Sequence, residues 1–237
     1  LRFRIHSPVS LDFYDEEGNH TGLIATSTSD FRRFEAQIPN SYYKEFGEVK
    51  YAGASGDSPT QVVLVGQDTG TFTLEIEEVQ GNEVTESSVY TDIPVVEGAR
   101  ATVAVDDLAS APALLLDIDN DGVGDAIVGS GEGISAKEMV GILRGIIRTL
   151  ALPPKKQARL DKTFNKIDKT LVKEQKCGEK KKTEKCEYKA KQKIGRTLNK
   201  LSRFIQKMSQ GKKAILTQEE AAEVLEVITR IRSSIEI

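Results

Sequence analysis

Charge divides this 237-residue chain in two. Residues 1–133 carry 7 Lys+Arg against 24 Asp+Glu, a balance of −17. Residues 134–237 carry 26 against 12, a balance of +14, and the net of −3 conceals both. The residue texture changes at the same place, from Gly/Thr/Val-rich alternation to Lys/Leu/Ile at helical spacing. Two domains are expected, 1–133 and 134–237, joined near Gly129–Gly133. The length accommodates two ordinary domains, and 38% hydrophobic with 29% charged residues is normal for a globular protein. No run approaches the roughly 18 apolar residues of a membrane span. The chain starts Leu1-Arg-Phe-Arg, with no initiator Met, apolar h-region or cleavage site, so it reads as a fragment whose signal peptide, if it has one, lies upstream.

Alternating apolar and polar residues in the acidic half predict half-buried strands. Phe3 and Ile5 alternate with Arg2 and Arg4; Leu11 and Phe13 follow. Val62–Val65 is a short buried run. Phe72, Leu74 and Ile76 share one face, against Thr71, Thr73 and Glu75 on the other. Val84–Tyr90, Ala101–Val105 and Leu114–Ile118 complete the set, separated by clusters at Asp15–Asn19, Gly53–Asp57, Gly66–Gly70 and Gly81-Asn82. Seven to nine short strands at this spacing predict a β-sandwich of immunoglobulin or jelly-roll type.

One stretch has the spacing of a metal loop. Asp117-Ile-Asp119-Asn-Asp121-Gly122-Val123-Gly-Asp125 fits D-x-D-x-D-G-x-x-D. Calcium takes six to eight oxygens, and alternate residues of a tight loop can all turn inward. Asp117, Asp119 and Asp121 would give carboxylates, Val123 its backbone carbonyl, and Asp125 a carboxylate directly or through water. Gly122 stands where such a loop bends sharply. The spacing is similar to dockerin and thrombospondin type 3 loops. It departs from the EF-hand at position 12, where Val128 replaces a bidentate Glu; Asp106, Asp107 or Glu132 could compensate. The alternative is an empty Asp-rich turn between Leu114–Ile118 and Ala126–Val128, but four carboxylates in nine residues repel one another, and a cation would relieve that cost.

The basic half predicts a four-helix bundle. Ser135-x-x-Glu138 is a capping box, followed on one helical face by Met139, Leu143, Ile146, Ile147 and Leu150; Pro153-Pro154 ends that helix. Leu160, Phe164, Ile167 and Leu171 mark a second helix. Ile194, Leu198, Leu201, Ile205 and Met208 mark a third, closed by Gly211. Thr217-x-x-Glu220 caps a fourth, carrying Ala221, Leu225, Ile228, Ile231 and Ile235. Each stripe needs partners to bury it. Cys177 and Cys186 flank eight residues between the second and third helices. They have neither CxxC spacing nor enough ligands for zinc. A disulfide stapling the tip of a helical hairpin is expected, with two free thiols as the alternative.

Two resemblances attach to these residues. His6-Ser-Pro-Val-Ser-Leu-Asp-Phe-Tyr-Asp15, Gly18–Gly22, Ile38-Pro-Asn-Ser-Tyr42 and Gly70-Thr-Phe-Thr-Leu-Glu-Ile76 resemble a β-module behind lipase-like α/β-hydrolases and other secreted bacterial or archaeal proteins; the last stretch also resembles bacterial pre-peptidase C-terminal domains. The basic half resembles the FIMAH helical module of secreted bacterial enzymes and adhesion-like proteins, through Leu150-Ala-Leu-Pro153, Arg203–Met208, Gly211-Lys-Lys213 and Leu216–Ala222. It departs in lacking a His in the third helix and in a long insert around Lys176–Lys189. The resemblances imply an appendage of an extracellular or cell-surface protein, with an upstream catalytic domain as partner and no activity of its own.

Catalytic signatures are sparse. His6 and His20 are the two histidines, both expected at strand ends or turns. There is no G-x-S-x-G, Gly129-Ser130-Gly131 lacking that frame, and no P-loop or dinucleotide fingerprint. Asn19-His20-Thr21 matches a glycosylation triplet, a common chance match. The expected function is therefore non-catalytic binding or scaffolding within a larger secreted protein, a hydrolase by resemblance, with structural calcium. The alternative is surface attachment, with the basic half gripping a wall polymer, acidic glycan or extracellular DNA. Against that stands docking of the +14 half on the −17 half, with lysines solvating the helices. Lys-rich rather than Arg-rich content, including Lys180-Lys-Lys182, and the lack of interleaved aromatics argue against nucleic acid.

Overall fold

A computed structural model of the chain describes residues 1–6, 8–24, 33–55, 59–131, 133–178, 183–211 and 214–235. It divides into two compact units, Leu1–Ile134 and Ser135–Ile237.

The first unit is a β-sandwich of two antiparallel sheets. Its strands are β1 (Arg2–His6), β2 (Asp12–Asp15), β3 (His20–Ile24), β4 (Arg33–Ala36), β5 (Tyr42–Phe46), β6 (Val49–Gly53), β7 (Pro59–Val65), β8 (Gly70–Gln80), β9 (Glu83–Val95), β10 (Arg100–Ala104), β11 (Leu114–Asp117) and β12 (Ala126–Val128). One sheet runs β5-β6-β1-β8-β9, the other β12-β11-β10-β7-β2-β3-β4. The alternation in β1 does what its pattern dictates. Phe3 and Ile5 are fully buried, while Arg2 and Arg4 face outward and meet Glu77 and Glu75, their register partners on β8. Phe3 of one sheet meets Phe13 of the other at a ring separation of 5.1 Å, so the aromatic pair sits where the inner faces join. The β8–β9 hairpin turns on two residues, with Gly81 at a φ of 65°. Two-residue hairpins demand a positive φ, and glycine adopts it at no steric cost.

Twelve strands among the described residues exceed the seven to nine expected. The surplus lies in β3 to β6. Strands β4 and β5 lie at sheet edges and alternate weakly in burial, so their sequences carry little of the period-2 signal that a half-buried strand must carry.

The second unit holds α1 (Ala136–Thr149), α2 (Pro154–Gly178), α3 (Thr183–Met208) and α4 (Gln218–Ser234). Each helix packs on two others, α1 on α2 and α4, α3 on α2 and α4, which closes the ring of a four-helix arrangement. Both expected capping boxes form. Ser135 Oγ accepts from Glu138 N while Glu138 Oε2 accepts from Ser135 N at 2.6 Å, and Thr217 and Glu220 do the same. Pro154 opens α2 at a position where its missing N–H costs nothing. Two details depart from the periodic reading. Leu225 is half-buried, and Val224 and Val227 share the core with Ala221, Ile228 and Ile231. Most of the segment expected as an insert, Lys176–Lys189, is helical: α2 runs to Gly178 and α3 begins at Thr183. Its Lys and Glu residues favour helix but carry no apolar stripe to announce it. No helix among the described residues is long and apolar enough to cross a membrane.

Candidate metal centre

Strands β11 and β12 pair antiparallel, with Leu116 opposite Ala126, and the aspartate loop joins them at the edge of the seven-stranded sheet. The loop closes through Asp125 N, which donates to Leu116 O at 2.7 Å. Its backbone then organises its own carboxylates. Asp117, 8% exposed, accepts from Asp121 N at Oδ1 (3.2 Å) and from Gly122 N at Oδ2 (2.9 Å). Asp125 Oδ2 accepts from Ile118 N at 3.0 Å. Gly122 turns the loop at a φ of 85°, in the left-handed region that glycine alone enters freely.

This folding brings three of the four expected carboxylates together. One oxygen each from Asp117, Asp119 and Asp125 lies within 4.8 Å of the others, and Asp119 Oδ1 is shut off from solvent. Asp121 is exposed and outside this group; its Oδ1 instead accepts from Val123 N at 2.8 Å. Val123 leaves its side chain 65% exposed, and only its backbone lies in the loop's path. Val128, at loop position 12, is buried as the last residue of β12 and serves the sandwich core. Asp106 and Asp107 line a separate cavity of about 300 Å³ with Leu1, Pro59 and Glu78. Glu132 lies outside the described residues.

The donor set fits a hard divalent cation. Oxygens bound at about 2.3–2.6 Å to one ion can stand at most about 4.6–5.2 Å apart, and the triad, within 4.8 Å, fits the longer bonds of that range.

The cysteines expected at a hairpin tip are joined. Cys177 at the end of α2 and Cys186 near the start of α3 form a disulfide with Cα atoms 5.7 Å apart. Lys180–Lys182 and the lysines after Gly211 lie outside the described residues.

Periodicity could not reveal the surroundings of His20. Its Nε2 lies 2.9 Å from Asp12 Oδ1 and its Nδ1 3.3 Å from Glu35 Oε2, while Tyr14 packs on the ring at 5.0 Å. The β2–β3 register, with Tyr14 opposite His20, creates this cluster. Ser10 Oγ donates to Asp12, on the far side from the imidazole, so serine and histidine form no nucleophile–base pair. Ser130 Oγ accepts from Val89 N at 3.1 Å, and Thr21 of the glycosylation triplet is fully buried with its hydroxyl 2.7 Å from that of Ser41.

Together the fold and the aspartate group define a class: a β-sandwich with an acidic triad able to hold a metal ion at its sheet edge, followed by a disulfide-stapled helical unit. No family model, no curated protein and no solved structure matches this chain.

Proposed function

We propose that this chain is a non-catalytic accessory region of a larger exported protein, and that residues 117–125 bind a structural calcium ion. The observation that carries the reading is the convergence of Asp117, Asp119 and Asp125. Bringing three carboxylates this close disfavours the folded loop unless positive charge joins them, and calcium's tolerance for irregular oxygen cages suits three protein carboxylates completed by the Val123 carbonyl and water. The ion would pin β12 to β11, where the sheet ends. The disulfide supports an oxidising, extracellular or cell-surface setting. The partners that follow from the resemblances are an upstream catalytic domain and, through the basic half, an anionic polymer.

Thermal melting of the chain with calcium, with magnesium and with a chelator tests the reading. At a free calcium concentration about 100-fold above Kd, binding adds about 2.7 kcal/mol, and a matching rise in melting temperature with calcium over chelator is expected. Identical melts in all three conditions would refute the calcium assignment. Hydrolase activity in the purified chain would refute the non-catalytic one.

A further inference from the structure

The helical unit carries a groove of about 310 Å³ between α2 and α3, and its walls are cationic. Arg159, Lys162 and Lys166 contribute from α2 at the i, i+3, i+7 spacing of one helical face, and Lys200 faces them from α3 beside Thr197 and Phe204. No carboxylate lines it. Asp168, the acid on α2 nearest in sequence to Lys166, is drawn away to Arg144 of α1 at 2.5 Å. Among the described residues, none of the four groove cations makes an ion pair.

Two features build this groove beyond a merely solvated lysine face. The Phe204 ring holds Arg159 Cζ at 4.5 Å and Lys156 Nζ at 5.2 Å, which anchors a guanidinium fork at one end. The disulfide sets the register of the walls: eighteen residues back along α2 from Cys177 stands Arg159, and eighteen residues on along α3 from Cys186 stands Phe204. The hydroxyls of Thr163 and Thr197 spend their protons on Arg159 O (3.0 Å) and Lys193 O (2.9 Å), so toward a ligand their oxygens can only accept. A ligand for this groove therefore carries anionic groups for the cations and O–H donors for the threonines.

We propose that the α2–α3 groove binds an acidic glycan, a sugar chain bearing carboxylate or sulfate groups. A DNA backbone supplies the charge, but its phosphodiesters offer no donor to Thr163 and Thr197, and Phe204, the one aromatic lining the groove among the described residues, already carries Arg159 and Lys156 at its ring, which disfavours base stacking. The proposal gives the accessory role above a ligand class and rests on reading the chain as a binding module; it makes no use of the aspartate loop.

The test is fluorescence anisotropy of the full chain, in chelator, against labelled polyuronate and sulfated oligosaccharides, neutral dextran fragments, and single-stranded DNA. Saturable, salt-sensitive binding to at least one acidic glycan is expected, with dextran silent and DNA weaker. The triple variant Lys162→Gln/Lys166→Gln/Lys200→Gln should weaken binding at least tenfold. A control removing equal charge elsewhere on the same helices, Lys173→Gln/Lys193→Gln/Lys207→Gln, should change it less than threefold, with circular dichroism confirming helicity in both. Equal loss in the two triples, tighter binding to DNA, or no glycan binding at about 50 mM salt would overturn the proposal. None of these results touches the calcium melts, so the two readings fail separately.

Discussion

At the residue scale, Asp117 and Asp121 occupy equivalent places in the sequence motif and different places in space. Asp117 joins the triad and holds two backbone amides; Asp121 is exposed and caps Val123 N. Asp117→Asn should therefore abolish most of the calcium-dependent rise in melting temperature, whereas Asp121→Asn should retain most of it, as differential scanning fluorimetry would show. Glu223 on α4 offers a pH test in the other unit. Burial first, and then the neighbouring Glu220, Glu219 and Glu226, push its carboxyl from 4.5 up to about 7. Because the folded-state pKa lies above the ordinary one, the stability this group contributes is full below about pH 4.5 and is lost as pH rises through about 7. Glu223→Gln should stabilise the chain at pH 8, change it little at pH 4.5, and flatten the slope between them in chemical denaturation.

At the scale of elements, the disulfide bridging α2 and α3 closes a short loop, and the chain-entropy model gives about 2–3 kcal/mol for it. Cys177→Ser/Cys186→Ser should lower helical stability by that amount in urea, and reductant should do the same to the parent. Which elements were legible in sequence follows from how they are buried. The strands β1 and β8 alternate because one face meets the core and the other meets water; both capping boxes were legible because the bond pattern is itself a sequence pattern. The edge strands β4 and β5 and the lysine-rich ends of α2 and α3 bury little, so they leave no period to read. The aspartate loop was legible as spacing, but its division into three converging carboxylates and one exposed was not, because that depends on which backbone amides each aspartate captures. The His20 cluster and the basic groove arise from strand and helix register across many residues, and no local motif encodes them. The contact of Phe204 with Arg159 and Lys156 is made by the fold, because both cations reach the ring from another helix.

For the whole molecule, each proposed tie belongs to one unit, the ion to Leu1–Ile134 and the cystine to Ser135–Ile237. Hydrogen exchange with mass spectrometry should find chelator speeding exchange in peptides covering β11, the loop and β12, and reductant speeding it around the α2–α3 tip. Chelator acting first on the helices would contradict the placement of the ion. The most direct test is calorimetric titration of calcium into the metal-free chain. One saturable site per chain is expected, with heat and stoichiometry abolished in Asp119→Ala although that variant keeps its β-sheet circular dichroism. No heat up to millimolar calcium, or an undiminished isotherm in Asp119→Ala, would contradict it.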